Sequence, residues 1–263
     1  MRKYLAVLRG QMMRGLAYRS GFFISIVGNL VFIGVLYFLW RSVYSGRDQI
    51  NGLTFDQTLL YVALGSTVFI LLKTHVDWVM SFEIREGAVV IYLIKPVDYQ
   101  MVMLTFSAGS SLLAAVIVTA PTIALLVWGL GIGWPIGVGT ALAPLALILA
   151  FLISFCFDYS VGLSGFYTES MWGLGIVKDT LVVVLSGALI PLQFFPESLR
   201  EILLWLPFQA VYHVPLMMIT QPDRPLGVQL TALGVQVLWA VALFGLTRLF
   251  YSRAIRVLRI AGG

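Results

Sequence analysis

Long apolar runs constrain this chain more than any other feature of its sequence. Residues 21–40 contain no charged side chain, and about 20 apolar residues are enough for a helix to cross the hydrocarbon core of a bilayer. Further runs of this kind follow along the chain. The predicted spans are residues 21–40, 59–80, 101–130, 138–157, 172–190 and 226–250. We therefore predict an all-α integral membrane protein with six transmembrane helices.

The composition argues against a water-soluble protein and against chemistry in the chain itself. Charged residues make up 11% of the 263 residues and hydrophobic residues 60%, whereas soluble domains are about a quarter charged. The chain has no Gly-Lys dipeptide, so it lacks the lysine of a nucleotide-binding loop. Its two histidines and single cysteine, Cys156, argue against a metal centre. We predict a single membrane domain over residues 1–263.

Basic residues are concentrated at the two ends of the chain. Cytoplasmic segments of membrane proteins are enriched in basic residues, so both termini are predicted to be cytoplasmic, which requires an even number of spans. The same charge favours contact with anionic lipids rather than with nucleic acid. The terminal basic residues, nine of 17, are Arg2, Lys3, Arg9, Arg14, Arg19, Arg248, Arg253, Arg256 and Arg259.

Residues 1–19 are predicted to form a helix on the membrane surface. At about 100 degrees per residue, its apolar side chains fall within one arc, and most of its basic side chains fall outside that arc. A basic flank that only orients the first span is an equally good interpretation. The apolar arc consists of Tyr4, Leu5, Leu8, Met12 and Leu16.

Residues 83–99 separate two apolar runs and carry five charged side chains. Because charges are costly in lipid, we predict a water-exposed cytoplasmic loop between the second and third spans. Its uncharged centre, residues 88–94, follows Gly87 and precedes Lys95-Pro96, which predicts a short helix started after a glycine and stopped before a proline. An apolar helix in water needs a partner surface.

This stretch resembles the coupling-helix segment of type-2 ABC transporter permeases, which docks on a separate ATPase subunit. The residues that keep the family's order and spacing are Gly87, Leu93, Lys95 and Pro96. The resemblance implies that the apolar contact with the ATPase is made by Val89, Val90, Leu93 and Ile94. It also implies a polar rim formed by Glu83, Arg85 and Glu86. An ordinary solvated loop without a partner is the alternative.

The second span is predicted to carry charges at its cytoplasmic end. Lys73 and Asp77 are four residues apart, so they would share one face of a continuous helix and could pair there. His75 lies between them. Charges at this depth are costly unless they pair or face the protein interior. Pairing or snorkelling is the main interpretation, and a role in substrate or ion handling is the alternative.

The third to fifth spans contain further irregular positions. Pro121 is predicted to kink the third span. Asp158 is predicted to open a cytoplasmic loop of residues 158–169 after the fourth span. Lys178 and Asp179, adjacent opposite charges, are predicted to lie near the inner interface, where they are weak indicators of a functional site.

Residues 191–225 contain six prolines, which forbid one continuous helix. The stretch is too apolar for a solvated loop, and irregular backbone at membrane depth needs cover by protein or a water-filled cavity. We predict broken helices that form a re-entrant hairpin in the outer leaflet before the last span. Helical spacing predicts an apolar face made by Leu199, Ile202, Leu203 and Leu206. The residues assigned to the hairpin are Pro191, Phe194, Phe195, Pro196, Leu199, Leu203 and Pro207.

The resemblance to type-2 permeases covers the whole chain, from interfacial helix to basic tail. It implies the permease subunit of an ATP-driven exporter in the cell membrane, with an unidentified, amphiphilic substrate. The implied partners are separate ABC ATPase subunits, which bind the ATP, a second permease chain, identical or related, and membrane lipids. No catalytic, cofactor-binding or metal-binding residue is expected. A secondary transporter and a membrane-embedded lipid-modifying enzyme are the alternatives.

Overall fold

The computed structural model of the protein describes residues 2–17, 19–129, 131, 133–168 and 171–257. Arg259 of the basic tail, and the side chains of Arg19 and Leu93, lie outside the described residues. The helices are α1 (Arg2–Ala17), α2 (Arg19–Val43), α3 (Phe55–Leu72), α4 (Val76–Arg85), α5 (Val90–Ile94), α6 (Tyr99–Ala114), α7 (Ala120–Ala124), α8 (Val138–Ser164), α9 (Trp172–Leu185), α10 (Glu197–Trp205), α11 (His213–Thr220) and α12 (Leu226–Ala254). A two-stranded antiparallel hairpin, β1 (Gln49–Ile50) and β2 (Leu53–Thr54), connects α2 to α3.

Within the part of the chain that the structure describes, five helical segments are long and apolar enough to cross a membrane. They are Gly21–Val43, Phe55–Arg85, Tyr99–Gly129, Val138–Ser164 and Leu226–Val257. The protein is therefore a mostly helical, multi-pass membrane protein. The span predicted at residues 172–190 is not among them, because α9 has 14 residues and measures about 21 Å, against a hydrocarbon core of roughly 30 Å.

Helix α8 lies at the centre of the bundle, where it packs against α12, α4, α11 and α9. Its buried face is rich in small residues, including Ala143, Ala146 and Ala150, which let neighbouring helices approach closely. The Gln236 side chain of α12 donates hydrogen bonds of 2.8 Å to the carbonyls of Ala146 and Ala210. These bonds join α8, α12 and the segment before α11.

Helix α1 packs along α6, with a face that differs from the predicted arc. Leu5 and Leu16, both assigned to the apolar arc, are exposed. The inward face is shifted toward Gln11, whose side-chain amide donates to Ser110 Oγ at 2.9 Å. Gly109 of α6 permits the contact, since a Cβ there would lie 3.0 Å from the Leu8 carbonyl oxygen. The orientation of α1 is thus set by its fit to α6.

The third span is distorted on both sides of Pro121. Turns of π-helix, Ala115–Thr119 and Leu125–Gly129, flank the short helix α7 that contains the proline. Proline has no amide hydrogen and its ring clashes with the preceding turn, so the regular ladder of hydrogen bonds cannot continue through it. The irregularity takes the form of two widened turns, and the kink of the span at Pro121 stays a prediction.

Three predicted boundaries are wrong. The second span is not one continuous helix, because Lys73, Thr74 and His75 lie between α3 and α4 and are not helical. Asp158 does not open a loop; it lies inside α8, which continues to Ser164. The first span does not end at residue 40, because α2 continues to Val43; the Trp40 ring is buried and lies 5.2 Å from that of Phe194.

Residues 191–225 do not form one continuous helix. A 3₁₀ turn, Leu192–Phe194, is followed by α10, which begins after Pro196 and ends before Pro207, and then by α11. The predicted apolar face of α10 is only partly packed, because Leu203 is buried while Leu199 and Ile202 are exposed. All eight residues of α11 are buried. We refer to residues 191–225 as the hairpin region.

A close contact between α3 and the turn that leads into the hairpin region depends on Gly65. A Cβ at this position would lie 2.5 Å from the carbonyl oxygen of Ala188, so one of two packed backbones would have to move. We expect Gly65→Ala to destabilise the protein by about 1 to 3 kcal/mol. Thermal unfolding of the purified protein in detergent measures this as a lower midpoint.

Gly234 of α12 provides the matched control, since a Cβ there would meet nothing within 4 Å. Replacing an unconstrained helical glycine by alanine favours the helix by up to about 1 kcal/mol. Gly234→Ala should therefore leave the midpoint unchanged or raise it. Equal midpoints for the two variants would show that the contact at Gly65 does not hold the hairpin region in place.

Candidate functional site

The predicted short helix after Gly87 is present in residues 83–99, which we call the coupling segment. Helix α4 is capped by Glu86, whose backbone amide donates to the Phe82 and Ile84 carbonyls. Gly87 follows with φ +71, a left-handed conformation that glycine adopts without strain. Overlapping turns then lead into α5. The helix begins at Val90, two residues later than predicted, and ends before Lys95.

Glu83 anchors the coupling segment from inside. Its two carboxylate oxygens accept hydrogen bonds of 2.9 Å, one from the Tyr92 hydroxyl and one from the Tyr99 hydroxyl. Burial and the hydrogen bond to Glu83 raise the pKa of Tyr92 to about 12, so this phenol stays protonated and continues to donate at neutral pH. Glu83, which the resemblance placed on the polar rim, is half-buried and both of its carboxylate oxygens are engaged within the chain.

Asp98 anchors the end of the coupling segment to three other helices. Its carboxylate accepts from the Met101 amide at 3.0 Å, capping α6, and forms an ion pair with Arg248 of α12. Its own amide donates to the Tyr4 hydroxyl of α1. Burial acts to raise the pKa of Asp98, but the hydrogen bonds from Arg248 and Met101 outweigh burial and hold this pKa below its usual value.

The exposed apolar surface of the coupling segment differs from the predicted contact set at two positions. Val89 is fully buried within the chain, so it cannot contact a partner. Ile94 is 77% exposed and Ile91, which was not predicted, is 47% exposed. Val90 is half-buried, and the Leu93 side chain lies outside the described residues. Exposed polar neighbours on both sides are Arg85, Glu86 and Lys95, with Pro96 also exposed.

At the end of α4 remote from α5 lies a partly buried group of charges, which we call the charge cluster: Lys73, Asp77, Asp158, Lys178 and Asp179. At its centre is the Lys178 ammonium group, 10% exposed. It forms ion pairs with Asp158, with Asp77 at 3.3 Å and with Asp179 at 2.8 Å. Lys73 pairs with the other oxygen of Asp179. Charges at this depth are tolerated when they pair, and here two lysines offset two of the three aspartate charges.

The charge cluster corrects the predicted pairing of the second span. Lys73 and Asp77 do not share a helical face, because the break between α3 and α4 separates them, and each pairs with a residue next to α9's midpoint. The break is supported from α8: Ser154 Oγ donates to the Leu72 carbonyl at 3.1 Å, and Thr74 Oγ donates to Asp158. His75 has φ +53, an uncommon conformation for a residue other than glycine.

The sequence matches the model of a known family of membrane transporters. The family model described as ABC-2 family transporter protein matches residues 30–262. The match includes the coupling segment, the charge cluster and the hairpin region. The chain belongs to the ABC-2 transporter family. It is thus a permease of an ABC transporter, a membrane-transport component, and permeases of this family generally pair with an ABC ATPase. No curated protein matches the sequence significantly.

In this ABC-2 permease the residues assigned to the hairpin region have different surroundings. Pro191 is buried and Leu203 is almost fully buried. Phe194 packs on Trp40 of α2, and Phe195 is half-buried. The turn that leads into this region is held by Tyr61, whose hydroxyl donates to the Gly187 carbonyl at 2.9 Å. Pro196 and Pro207 lie at the two ends of α10, where a missing amide hydrogen is tolerated.

Among the described residues of the permease, no three His, Cys, Asp or Glu side chains are grouped so as to hold a metal ion. The three aspartates of the charge cluster are held by lysine ammonium groups and a threonine hydroxyl. This arrangement connects the start of α4, the last third of α8 and the middle of α9.

Proposed function

We propose that this permease is the membrane subunit of an ATP-driven exporter and that its coupling segment docks on a separate ABC ATPase, which binds the ATP. The observation that carries the proposal is the exposure of Ile91 and Ile94 on α5. Exposed aliphatic side chains on a well-anchored helix, with polar neighbours around them, are typical of a protein contact.

The proposed contact set follows from the exposure of each side chain. Ile91, Ile94 and the half-buried Val90 provide the apolar centre, and Leu93 belongs to it by family resemblance. The polar rim consists of Arg85, Glu86 and Lys95, which are exposed.

Other residues of the coupling segment position α5 without contacting the partner. Gly87 and Pro96 fix the two ends of the helical turn. Glu83 and Val89 act indirectly, because they hold α5 in position from the inside.

Helix α4 provides a mechanical path from the ATPase to the bundle. Its last turn carries Glu83, which holds α5 through Tyr92. Its first turn carries Asp77, which pairs with Lys178 of α9, and it begins at the break next to the charge cluster. A displacement of α5 would therefore be passed along α4 to α9. Because the break is not helical, α4 can move without carrying α3 with it.

The same proposal includes the membrane topology of the chain and the association of two permease chains. Both termini and the coupling segment lie in the cytoplasm, and α9 with the turn that follows it counts as the sixth crossing of one permease domain. Two permease chains enclose the pathway. The first span supports such an association, because Gly28 and Gly34 have no neighbour within 4 Å of a Cβ, and small residues allow close helix contact.

A second candidate function, secondary transport, is favoured by one observation. Buried aspartates within membrane spans can bind coupling ions, and Asp77 and Asp158 are buried within spans. Their existing ion pairs with Lys178 favour a structural role instead. Reconstituted permease that transports an amphiphile in response to a proton or sodium gradient, without ATPase, would support the secondary transporter.

The exporter is tested by purifying the tagged permease from its native membrane under mild conditions. We expect a chain with nucleotide-binding motifs to co-purify, and ATP to drive movement of an amphiphilic substrate in vesicles that contain both chains. Recovery of a permease that carries no ATPase and yet transports at the full rate would overturn the proposal. Mass spectrometry of the purified material identifies the partner.

A further inference from the structure

A large groove opens at the end of the bundle opposite the coupling segment. Its volume is about 870 Å³, and it lies between α10, α11 and the first half of α12. Arg248, near the other end of α12, pairs with Asp98 of the coupling segment. With 29 residues, α12 is about 43 Å long, so the groove and the coupling segment belong to different leaflets.

The groove carries positive charge without matching acidic side chains. Arg200 and Arg224 line it, and none of the described lining residues is acidic. Arg224 is half-buried and its Nε donates to the neutral Gln221 side chain at 2.7 Å. No carboxylate of the described residues lies within ion-pair distance of Arg224. Glu197, the partner of Arg200, is 3.8 Å away and 80% exposed, so it neutralises little of that charge.

The backbone at the start of α12 adds further hydrogen-bond donors. The helix begins at Leu226 after Pro225, with no side-chain cap. The amides of Val228 and Gln229 donate to the Pro225 carbonyl, whereas the first two amides, those of Leu226 and Gly227, have no partner within the helix. Gly227, in that first turn, lines the groove. Unpaired amides and the helix dipole both favour an anion at this position.

The rest of the groove is mostly apolar. Its apolar lining includes Leu204, Trp205, Val214, Met217, Val228 and Val235. An anion with no apolar part would leave these side chains uncovered, whereas an acyl chain would cover them. Met side chains adapt to flexible chains particularly well.

We propose that this groove binds an anionic amphiphile, with its phosphate on Arg200 and Arg224 and its acyl chain along α12. A phosphate ester presents several strong acceptor oxygens, which match the donors of two guanidinium groups. The occupant is a lipid of the phosphatidylglycerol class, taken from the leaflet opposite the coupling segment. The site is one of binding, and it does not depend on docking of an ATPase.

Trp205 provides a direct test, because it lines the groove and its fluorescence is quenched by bromine atoms nearby. The full-length permease is placed in nanodiscs of phosphatidylcholine that contain increasing brominated phosphatidylglycerol or, separately, brominated phosphatidylcholine. The signal of Trp205 is the difference between the wild type and Trp205→Phe. We expect half-maximal quenching at a mole fraction about tenfold lower for the anionic lipid, a difference of about 1.4 kcal/mol.

Substitution of the arginines locates the site. Arg224→Gln and Arg200→Gln should each remove most of the preference for the anionic lipid. Arg47→Gln is the matched control, since Arg47 is exposed in the connection between α2 and β1 and does not line the groove. The strand pair that follows this connection lies at the same end of the bundle, because Asn51 in the turn between β1 and β2 donates to the Gln193 carbonyl. Arg47→Gln should retain the preference.

Three results would overturn the proposal. The first is equal quenching of Trp205 by the two lipids in the wild type, which needs no variant and so does not depend on how the variants fold. The second is an unchanged preference in both arginine variants. The third is loss of the preference when millimolar inorganic phosphate is added, which would make the groove a site for free phosphate.

Discussion

An Ile94→Asp permease should insert and fold normally, yet lose its ATPase partner and its transport activity. Ile94 is 77% exposed at the end of α5, so its replacement disturbs no internal packing. Burial of one such side chain at an interface contributes about 1.5 to 3 kcal/mol, and a carboxylate buried there without a partner adds a desolvation cost. We expect the affinity for the ATPase to fall by at least about tenfold.

Two controls separate the position of the charge from its presence. Ile136→Asp introduces the same change at a residue that is 87% exposed and lies at the opposite end of the bundle, next to the start of α8. Ile94→Leu keeps an aliphatic side chain in the proposed contact. Both should retain the ATPase and transport. Membrane abundance, ATPase recovery and transport are measured for all three variants.

An abundant Ile94→Asp protein with normal ATPase recovery and normal transport would contradict docking through α5. The family assignment would be unaffected, since it rests on the match over residues 30–262. The same comparison applied to Leu93→Asp extends the test to the residue whose role is implied by family resemblance alone.

The apolar runs predicted the membrane fold because the thickness of the bilayer sets how many consecutive apolar residues a spanning helix needs. The prolines of the hairpin region predicted its breaks equally well, since a proline interrupts a helix whatever surrounds it. The break at residues 73–75 has no such local signal. It contains neither glycine nor proline, and it is stabilised by Ser154 and Asp158 of α8, which are remote in sequence.

The sequence also does not predict which side chains of α5 face the interior of the chain and which face outward. Five helical residues are too few for a periodic pattern to define an inner and an outer face. Here the inner face is fixed by Tyr92, which reaches Glu83, and by Val89, which fits into the chain. The hydrogen bonds of Glu83 could not be predicted from its neighbours in sequence, because its two tyrosine partners lie nine and 16 residues further along the chain.

The charge cluster was visible in the sequence only as scattered charges near the ends of apolar runs. Its residues come from three separate segments, around residues 75, 158 and 178, and each was assigned to an interface or a loop. A charged residue flanked by apolar turns is costly unless it has a buried partner. This cost is the sequence signal that could have revealed the charge cluster. Asp158 and Lys178 are both flanked by apolar turns, so the cost predicts that they pair with each other.

A Lys178→Met permease should be severely destabilised. Methionine has nearly the length of lysine but no charge, so Asp77 and Asp158 would remain buried, with side chains only 4% and 5% exposed, and without their shared cation. Removing one partner of a buried ion pair costs about 3 to 5 kcal/mol. We expect low membrane abundance and a thermal unfolding midpoint well below that of the wild type. Lys95→Met, the same change at an exposed lysine, should alter the unfolding free energy by less than about 0.5 kcal/mol.

A second substitution tests whether the loss comes from the uncompensated charge. Asp158→Asn removes one carboxylate and retains an oxygen that can accept from Thr74. If the charge is the cause, the double variant Lys178→Met with Asp158→Asn should be more stable than Lys178→Met alone, although each change destabilises the protein by itself. Residues in direct contact show interaction energies of about 0.5 to 3 kcal/mol in such cycles. Additive losses would instead mean that Lys178 acts through packing, and the charge cluster would then not be the connection that holds α4 to α8 and α9.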